Sequence, residues 1–148
     1  MVPYSSEVTI ARPPSEVFPW LVEPGKQAQW SDVPMQLLTE GPLRQGSRMR
    51  LSFGRGPLHA SLDLEITSLE PDAKMAFTTV SHGGIHWEGA YDLAPAEGGG
   101  TRLAQQGMLR FSGLWRVLEP MIGAEIKRGE IAELERLKKI VERPVGPP

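Results

Sequence analysis

The sequence predicts an α+β domain in which a curved antiparallel sheet of about seven strands wraps around one long C-terminal helix. Between residues 47 and 111, apolar and polar residues alternate in successive runs separated by turn signals. That is the pattern of strands with one wet and one buried face. From Gly113 to about Val141 the apolar residues return instead at helical spacing. A short strand and two short helical pieces precede both regions. The simplest packing of this order lays the long helix across the concave face of the sheet, with the short helices closing one end.

Taken in order, Val8 and Ile10 alternate with polar neighbours and read as a strand from Ser5 to Ala11. Pro13-Pro14-Ser15-Glu16 opens a helix, because proline suits a first turn and a carboxylate suits its positive end. Val17, Phe18 and Leu21 share one face of it. Pro19 is tolerable there only while the first turn is still free of i−4 bonds. Pro24-Gly25 breaks the chain, and Lys26 to Trp30 forms a second helical piece. Met35 to Glu40 is a strand ended by Gly41-Pro42. In the next run Ser47, Met49, Leu51 and Phe53 oppose Arg48, Arg50 and Ser52. In the run after it, Leu58, Ala60, Leu62, Leu64 and Ile66 oppose His59, Ser61, Asp63 and Glu65. Turn signals at Gly54-Arg55-Gly56, Pro71-Asp72, Gly83-Gly84 and Glu97-Gly98-Gly99-Gly100 bound an antiparallel meander. The closing helix, at about 1.5 Å per residue, would be about 45 Å long. Pro120 should kink or restart it. Residues 1–143 then form one domain and residues 144–148 a frayed tail.

Composition removes several function classes. Among 148 residues, 16 Lys and Arg face 18 Asp and Glu, a net charge of −2. This argues against nucleic acid or an anionic membrane as partner, since both need clustered basic side chains. No apolar run approaches the length of a membrane span, and the first residues carry no basic and apolar leader. The expectation is a cytoplasmic protein with no stable membrane insertion. There is no cysteine, which excludes disulfides, thiolate nucleophiles and Cys-ligated zinc. His82 and His86 flank the Gly83-Gly84 turn, but the remaining histidine, His59, falls on the wet face. No metal site and no cofactor are expected. No Ser-His-Asp arrangement, phosphate loop or nucleotide fingerprint occurs.

Several segments carry a family resemblance. They are Val8-x-Ile10-x-x-Pro13-Pro14-x-x-Val17-Phe18-x-x-Leu21-x-x-Pro24 followed by Trp30, then Gly41-Pro42-Leu43-x-x-Gly46, Tyr91-x-Leu93-x-Pro95, and Gly100-Thr101-Arg102-Leu103. The ending Leu134-x-x-Leu137-Lys138-x-x-Val141-Glu142 completes the set. Together they resemble the START-like (SRPBCC) superfamily of polyketide cyclase/dehydrase and lipid-transport proteins over nearly the whole chain. The resemblance implies the helix-grip fold, with a hydrophobic cavity between sheet and C-terminal helix. It implies no catalytic residue, because the superfamily shares no universal catalytic motif. Its members include aromatase/cyclases, lipid and hormone carriers, and chaperone regulators.

Strand parity nominates the cavity lining independently. Met49, Leu51 and Phe53 face inward on one strand, and Leu62, Leu64 and Ile66 on the next. The run from Met75 to Ser81 does not alternate, and there the reading leans toward Met75, Phe77 and Thr79; on the following strand Ile85, Trp87, Tyr91 and Leu93 face inward. The last strand offers Leu103, Gln105, Gly107, Leu109 and Phe111. Gly89 and Gly107 read either as room for a ligand or as bulges and close packing. Gln105, Tyr91, Thr79 and the Trp87 N–H would either orient a ligand or be satisfied by neighbours in an ordinary core. Trp20 and Trp30 line the entrance or plug that end, and Trp115 would join the same mouth. On the long helix, about 100° per residue places Glu125 among Leu118, Met121 and Ile122. In that apolar sector its pKa would rise and it could act as a general acid or base, or it could reach out to pair with Arg110 or Arg116.

The resulting expectation is a binder of a small hydrophobic or lipid-like molecule, with Trp30, Met121, Ile122 and Glu125 joining the strand residues around it. One alternative is an aromatase/cyclase or dehydratase acting on a polyketide-like substrate, with Glu125, Tyr91 or Gln105 assisting proton transfer. Another is a module that regulates a protein partner through outward Arg48, Arg50, His59, Asp63 and Glu65. A homodimer is left open.

Overall fold

The first strand of the chain, β1 (Val2–Ile10), runs antiparallel to the last, β7 (Thr101–Phe111), and forms one edge of the sheet. In this computed structural model, which describes residues 1–31, 35–53, 57, 60–80 and 84–143, the side chains of Phe53 and Ala60 are also outside the described set. The remaining strands are β2 (Met35–Leu37), β3 (Arg48–Phe53), β4 (Ala60–Glu70), β5 (Lys74–Thr79) and β6 (Ile85–Pro95). Their order across the sheet is β1-β7-β6-β5-β4-β3-β2. Each strand after β2 is a simple antiparallel return, as the turn signals require. The short helices α1 (Pro14–Val22) and α2 (Pro24–Gln27) carry the chain from one edge of the sheet to the other. The expected helix-grip architecture is present.

Strand bounds differ from the sequence reading where local chemistry broke the alternation. β1 starts at Val2, three residues before the expected Ser5, because β1 is an edge strand and so tolerates Pro3. β4 runs on to Glu70 through a register shift between Ile66 and Ser68. The extra residue there is Thr67, and such a bulge bends its strand and increases the local twist. β2 is shorter than expected, ending at Leu37. Pro19 lies well inside α1, beyond the first turn to which the sequence reading confined it. The expected tail, residues 144–148, and His59 and His82 lie outside the described residues.

The long helix differs most. Gly113–Leu118 is a 3-10 turn, and the α-helix α3 spans Glu119–Val141 with Pro120 in its first turn. Proline therefore restarts the helix, as one of the two expected outcomes had it. At about 1.5 Å per residue α3 is about 35 Å long. A 3-10 turn winds about three residues per turn against 3.6, so the helical phase projected from Leu114 is lost. The buried face of α3 is Gly123, Glu130, Glu133, Leu134, Leu137 and Val141. Gly123 sets the approach: a Cβ there would lie 2.6 Å from Val2 Cγ2. At the other end, Lys138 Nζ donates to the Thr9 carbonyl, and the Ala11 N–H donates to Glu142 Oε2 at 2.7 Å. α3 is thus tied along the β1 edge, with Glu130 and Glu133 turned toward the sheet.

Candidate functional site

Between α3, the short helices and the concave face of the sheet lies a cavity of about 40 Å³. By the volume a water occupies, about 30 Å³, this is room for one or two waters. Two ring pairs pack around it: Trp30 and Tyr91 meet edge to face at 6.4 Å, and Phe77 and Trp87 do so at 5.9 Å. All four rings line the cavity, together with Met35, Met49 and Met75. The polar side of the wall is Gln27, Ser31, Tyr91, Glu130 and Glu133.

Glu130 and Glu133 stand three residues apart on α3, so their side chains leave one face of the helix as neighbours. They are 7% and 3% exposed. Ser31 Oγ donates to Glu133 Oε1 at 3.3 Å. Neither the Glu130 carboxylate nor the Tyr91 hydroxyl makes a side-chain hydrogen bond among the described residues, although Tyr91 is only 9% exposed. Burial disfavours the charged form of Glu130 and the neighbouring Glu133 charge disfavours it further, so its pKa is pushed up to about 8. Burial and the Glu130 charge likewise raise the Tyr91 phenol well above its usual value. Around neutral pH the pair therefore holds a proton on Glu130, which makes it a hydrogen-bond donor.

The other inward polar groups are committed to the scaffold. Thr79 Oγ1 accepts from the Trp87 N–H at 2.5 Å and donates to the Trp87 carbonyl at 2.7 Å. Trp87 Nε1 donates to the Tyr4 hydroxyl at 2.9 Å. Gln105 Nε2 donates to Ser6 Oγ at 2.9 Å and to the Glu130 carbonyl at 2.8 Å, joining β1, β7 and α3. Trp30 is fixed by donating from Nε1 to the Trp20 carbonyl at 2.8 Å, while its own carbonyl accepts from Arg136 at 2.9 Å.

Of the residues nominated from sequence, Trp30, Met49, Leu51, Leu64, Met75, Phe77, Trp87 and Tyr91 line this cavity. Leu62, Thr79 and Gln105 are buried beside it without lining it. The side chain of Phe53 lies outside the described residues. Glu125 is exposed, not in an apolar sector, and Met121 is 54% exposed. Ile122 is half-buried against the core but away from the cavity. These three were misplaced because their phase was projected through the 3-10 turn, whose Leu114 and Val117 are also exposed. Trp115 sits against Gly84, near enough that a Cβ there would lie 2.5 Å from Trp115 Cδ1, and is not part of the cavity wall. Glu130, Glu133 and Tyr4 were not nominated. Extending the stripe backwards from Val141, Leu137 and Leu134 reaches Glu130 at the same spacing.

Gly89 and Gly107 are paired across β6 and β7. On the inner face their missing side chains are replaced by neighbouring rings. A Cβ on Gly89 would meet Phe77 Cζ at 2.7 Å, and one on Gly107 would overlap the Tyr4 ring. Close packing is therefore the reading that holds inside. On the outer face the same region forms an open hollow of about 870 Å³ over Ala76, Thr78, Glu88, Ala90, Gln106 and Met108. Among the described residues no group of three or more His, Asp or Glu is placed to hold a metal ion, and no helix is long and apolar enough to cross a membrane.

The sequence profile described as polyketide cyclase / dehydrase and lipid transport matches residues 1–142. The chain belongs to that family. Solved structures repeat the fold at low identity. A protein from Thermus thermophilus superposes with a TM-score of 0.76 at 16% identity, over 94% of this chain and 96% of the other. One from Chromobacterium violaceum gives 0.73 at 17% identity, over 96% and 98%. The di-domain ARO/CYC protein BexL of the BE-7585A biosynthetic pathway gives 0.73 at 17% identity, over 99% of this chain and 48% of that one. No curated protein matches the sequence.

Proposed function

We propose that this member of the polyketide cyclase/dehydrase and lipid transport family binds a small, largely apolar molecule in the cavity between sheet and α3. The carrying observation is that Glu130 and Tyr91, both more than nine-tenths buried, present polar atoms to that cavity without a hydrogen-bond partner among the described residues. Burying such groups is costly unless something pairs with them, and a ligand's polar end does so. The apolar part would be accommodated by the wall. Met35, Met49 and Met75 are unbranched and re-pack easily, so the cavity can enlarge beyond its closed volume. Native mass spectrometry of the purified protein, with organic extraction of any adduct, tests this directly. A stoichiometric apolar adduct is expected. A clean apo mass, with no thermal shift across fatty acids, sterols, aromatic polyketides and linear amines and alcohols, would overturn it.

One observation favours a second reading, a cyclase or dehydratase acting on a polyketide-like chain. Glu130 is kept protonated near neutral pH beside the Tyr91 phenol, which suits a general acid. Turnover of a polyketide-like thioester that vanishes in Glu130→Gln while binding persists would favour this reading over carriage alone.

A further inference from the structure

The wall of the inner cavity has a charge character that the apolar lining alone does not explain. It holds two carboxylates, Glu130 and Glu133, and four aromatic rings, Trp30, Phe77, Trp87 and Tyr91. No Lys, Arg or His is among its described lining residues. We infer that the polar end of the ligand is a cation: a protonated primary amine seated between the Glu130–Glu133 pair and the rings of Trp30 and Tyr91. This rests on the proposed binding reading and names its ligand class.

Three features of the site agree. Aromatic faces attract an ammonium group once water is excluded, and more strongly in a buried site than at a surface. The closed cavity accepts a head of only about one or two non-hydrogen atoms by the volume of the waters it could hold, which suits an ammonium and its first methylene. The Tyr91 hydroxyl and the Glu130 carboxyl supply acceptors with no competing partner among the described residues. An anionic head, a carboxylate or a phosphate, would instead meet the Glu133 charge at close range.

The charged groups around the pair come from several elements. Tyr4 on β1 and Tyr91 on β6 are neutral phenols with raised pKa values. Arg136, one turn along α3 from Glu133, directs a guanidinium N–H to the Trp30 carbonyl and does not line the cavity. Among the described residues, the neighbouring charge that raises the Glu130 pKa, after burial itself, is that of Glu133. An arriving ammonium therefore reverses the local balance, favours the ionised form of Glu130 and expels its proton. Atoms balance simply: the proton leaves Glu130 for solvent, no bond to the ligand forms, and the site goes from one shared proton to one bound cation.

Hexylamine, hexanol and hexanoate share a chain and differ only in the head. Titration of each into the protein at pH 7, followed by Trp fluorescence and by calorimetry in phosphate and in Tris, tests the inference. The amine is expected to bind at least about tenfold more tightly than the alcohol, with hexanoate weakest. Up to one proton should be released per amine, read from the difference between the two buffers. Glu133→Gln should remove the preference for amine over alcohol, and Glu130→Gln should abolish the proton release. Hexanol or hexanoate binding as tightly as the amine would overturn the cationic head and leave the binding proposal standing. Amine binding with full preference in Glu133→Gln would overturn its placement. Binding of none of the three would overturn the cationic head, and the panel above then decides the binding proposal separately.

Discussion

Replacing Glu130 by Gln should change how the stability of this protein depends on pH. In the unfolded chain the carboxyl titrates near 4.5, and in the folded protein near 8. Between those values the folded state holds a proton that the unfolded state has lost. Stability therefore decreases as pH rises, by up to about 1.4 kcal/mol per pH unit. The contribution is complete below 4.5 and exhausted above about 8, an interval of about 3.5 pH units and so on the order of 5 kcal/mol in all. That is a large part of the usual stability of a domain. The carboxylates whose pKa values are lowered, Asp63 by Arg50, Glu119 by the N-terminal ammonium and Glu142 by Lys138, act with the opposite sign. Their pKa values are lowered, so they titrate below the window and leave it undisturbed. Urea denaturation at successive pH values from 5 to 9 reads the effect. With a urea slope of about 2 kcal/mol per molar, the wild-type midpoint should fall by about 2 M between pH 5 and 8. Glu130→Gln, neutral throughout, should lose most of that dependence and be the more stable protein at pH 8. A wild-type midpoint that is flat or rising over this range, or a slope retained in the variant, would refute a buried, protonated Glu130.

Three other substitutions probe the packing, and a fourth the site. Gly107→Ala should destabilise by about 1–3 kcal/mol in urea, because its Cβ would overlap the Tyr4 ring. Gly129→Ala, with nothing within 4 Å of its Cβ on α3, should instead stabilise by about 0.5–1 kcal/mol, and the two opposite signs serve as each other's control. Tyr4→Phe removes the acceptor of the Trp87 indole N–H and should cost about 1–3 kcal/mol, with a changed near-ultraviolet dichroism of the tryptophans reporting the lost bond. Glu125→Gln should leave both the denaturation midpoint and hexylamine affinity unchanged, as expected of an exposed helix residue; a clear loss of affinity would place Glu125 at the ligand after all.

Much of the architecture is written in local pattern. Period-two alternation identified the inward residues of β3, β6 and β7, and even the irregular β5 buries Met75, Phe77 and Thr79 as the parity suggested. Turn chemistry placed the strand returns. These features are local because a strand's side chains alternate whatever packs above them, and because a glycine turn acts over a few residues. The bulge at Thr67 and the proline near the start of β1 interrupted the pattern, and there the sequence reading stopped short.

The site was legible in part. The ring residues of the cavity, Trp30, Phe77, Trp87 and Tyr91, were nominated by parity or by family resemblance, but the acidic pair was not. A helix carries no internal mark of which side meets the sheet when its apolar stripe is interrupted by glutamates. Leu114, Leu118 and Met121 suggested one phase. Leu134, Leu137 and Val141, packed in the core, impose another. The choice was made by contacts far apart in the chain: Gly123 against Val2, Gln105 bonded to the Glu130 carbonyl, and Lys138 and Glu142 holding the β1 edge. Local pattern in the sequence carried the strand order, most inward faces and the family, though not the bounds of β1, β2 and β4. Only the tertiary structure turned Glu130 and Glu133 into the interior, because a carboxylate's environment is set by what surrounds it in space and not by its neighbours along the chain.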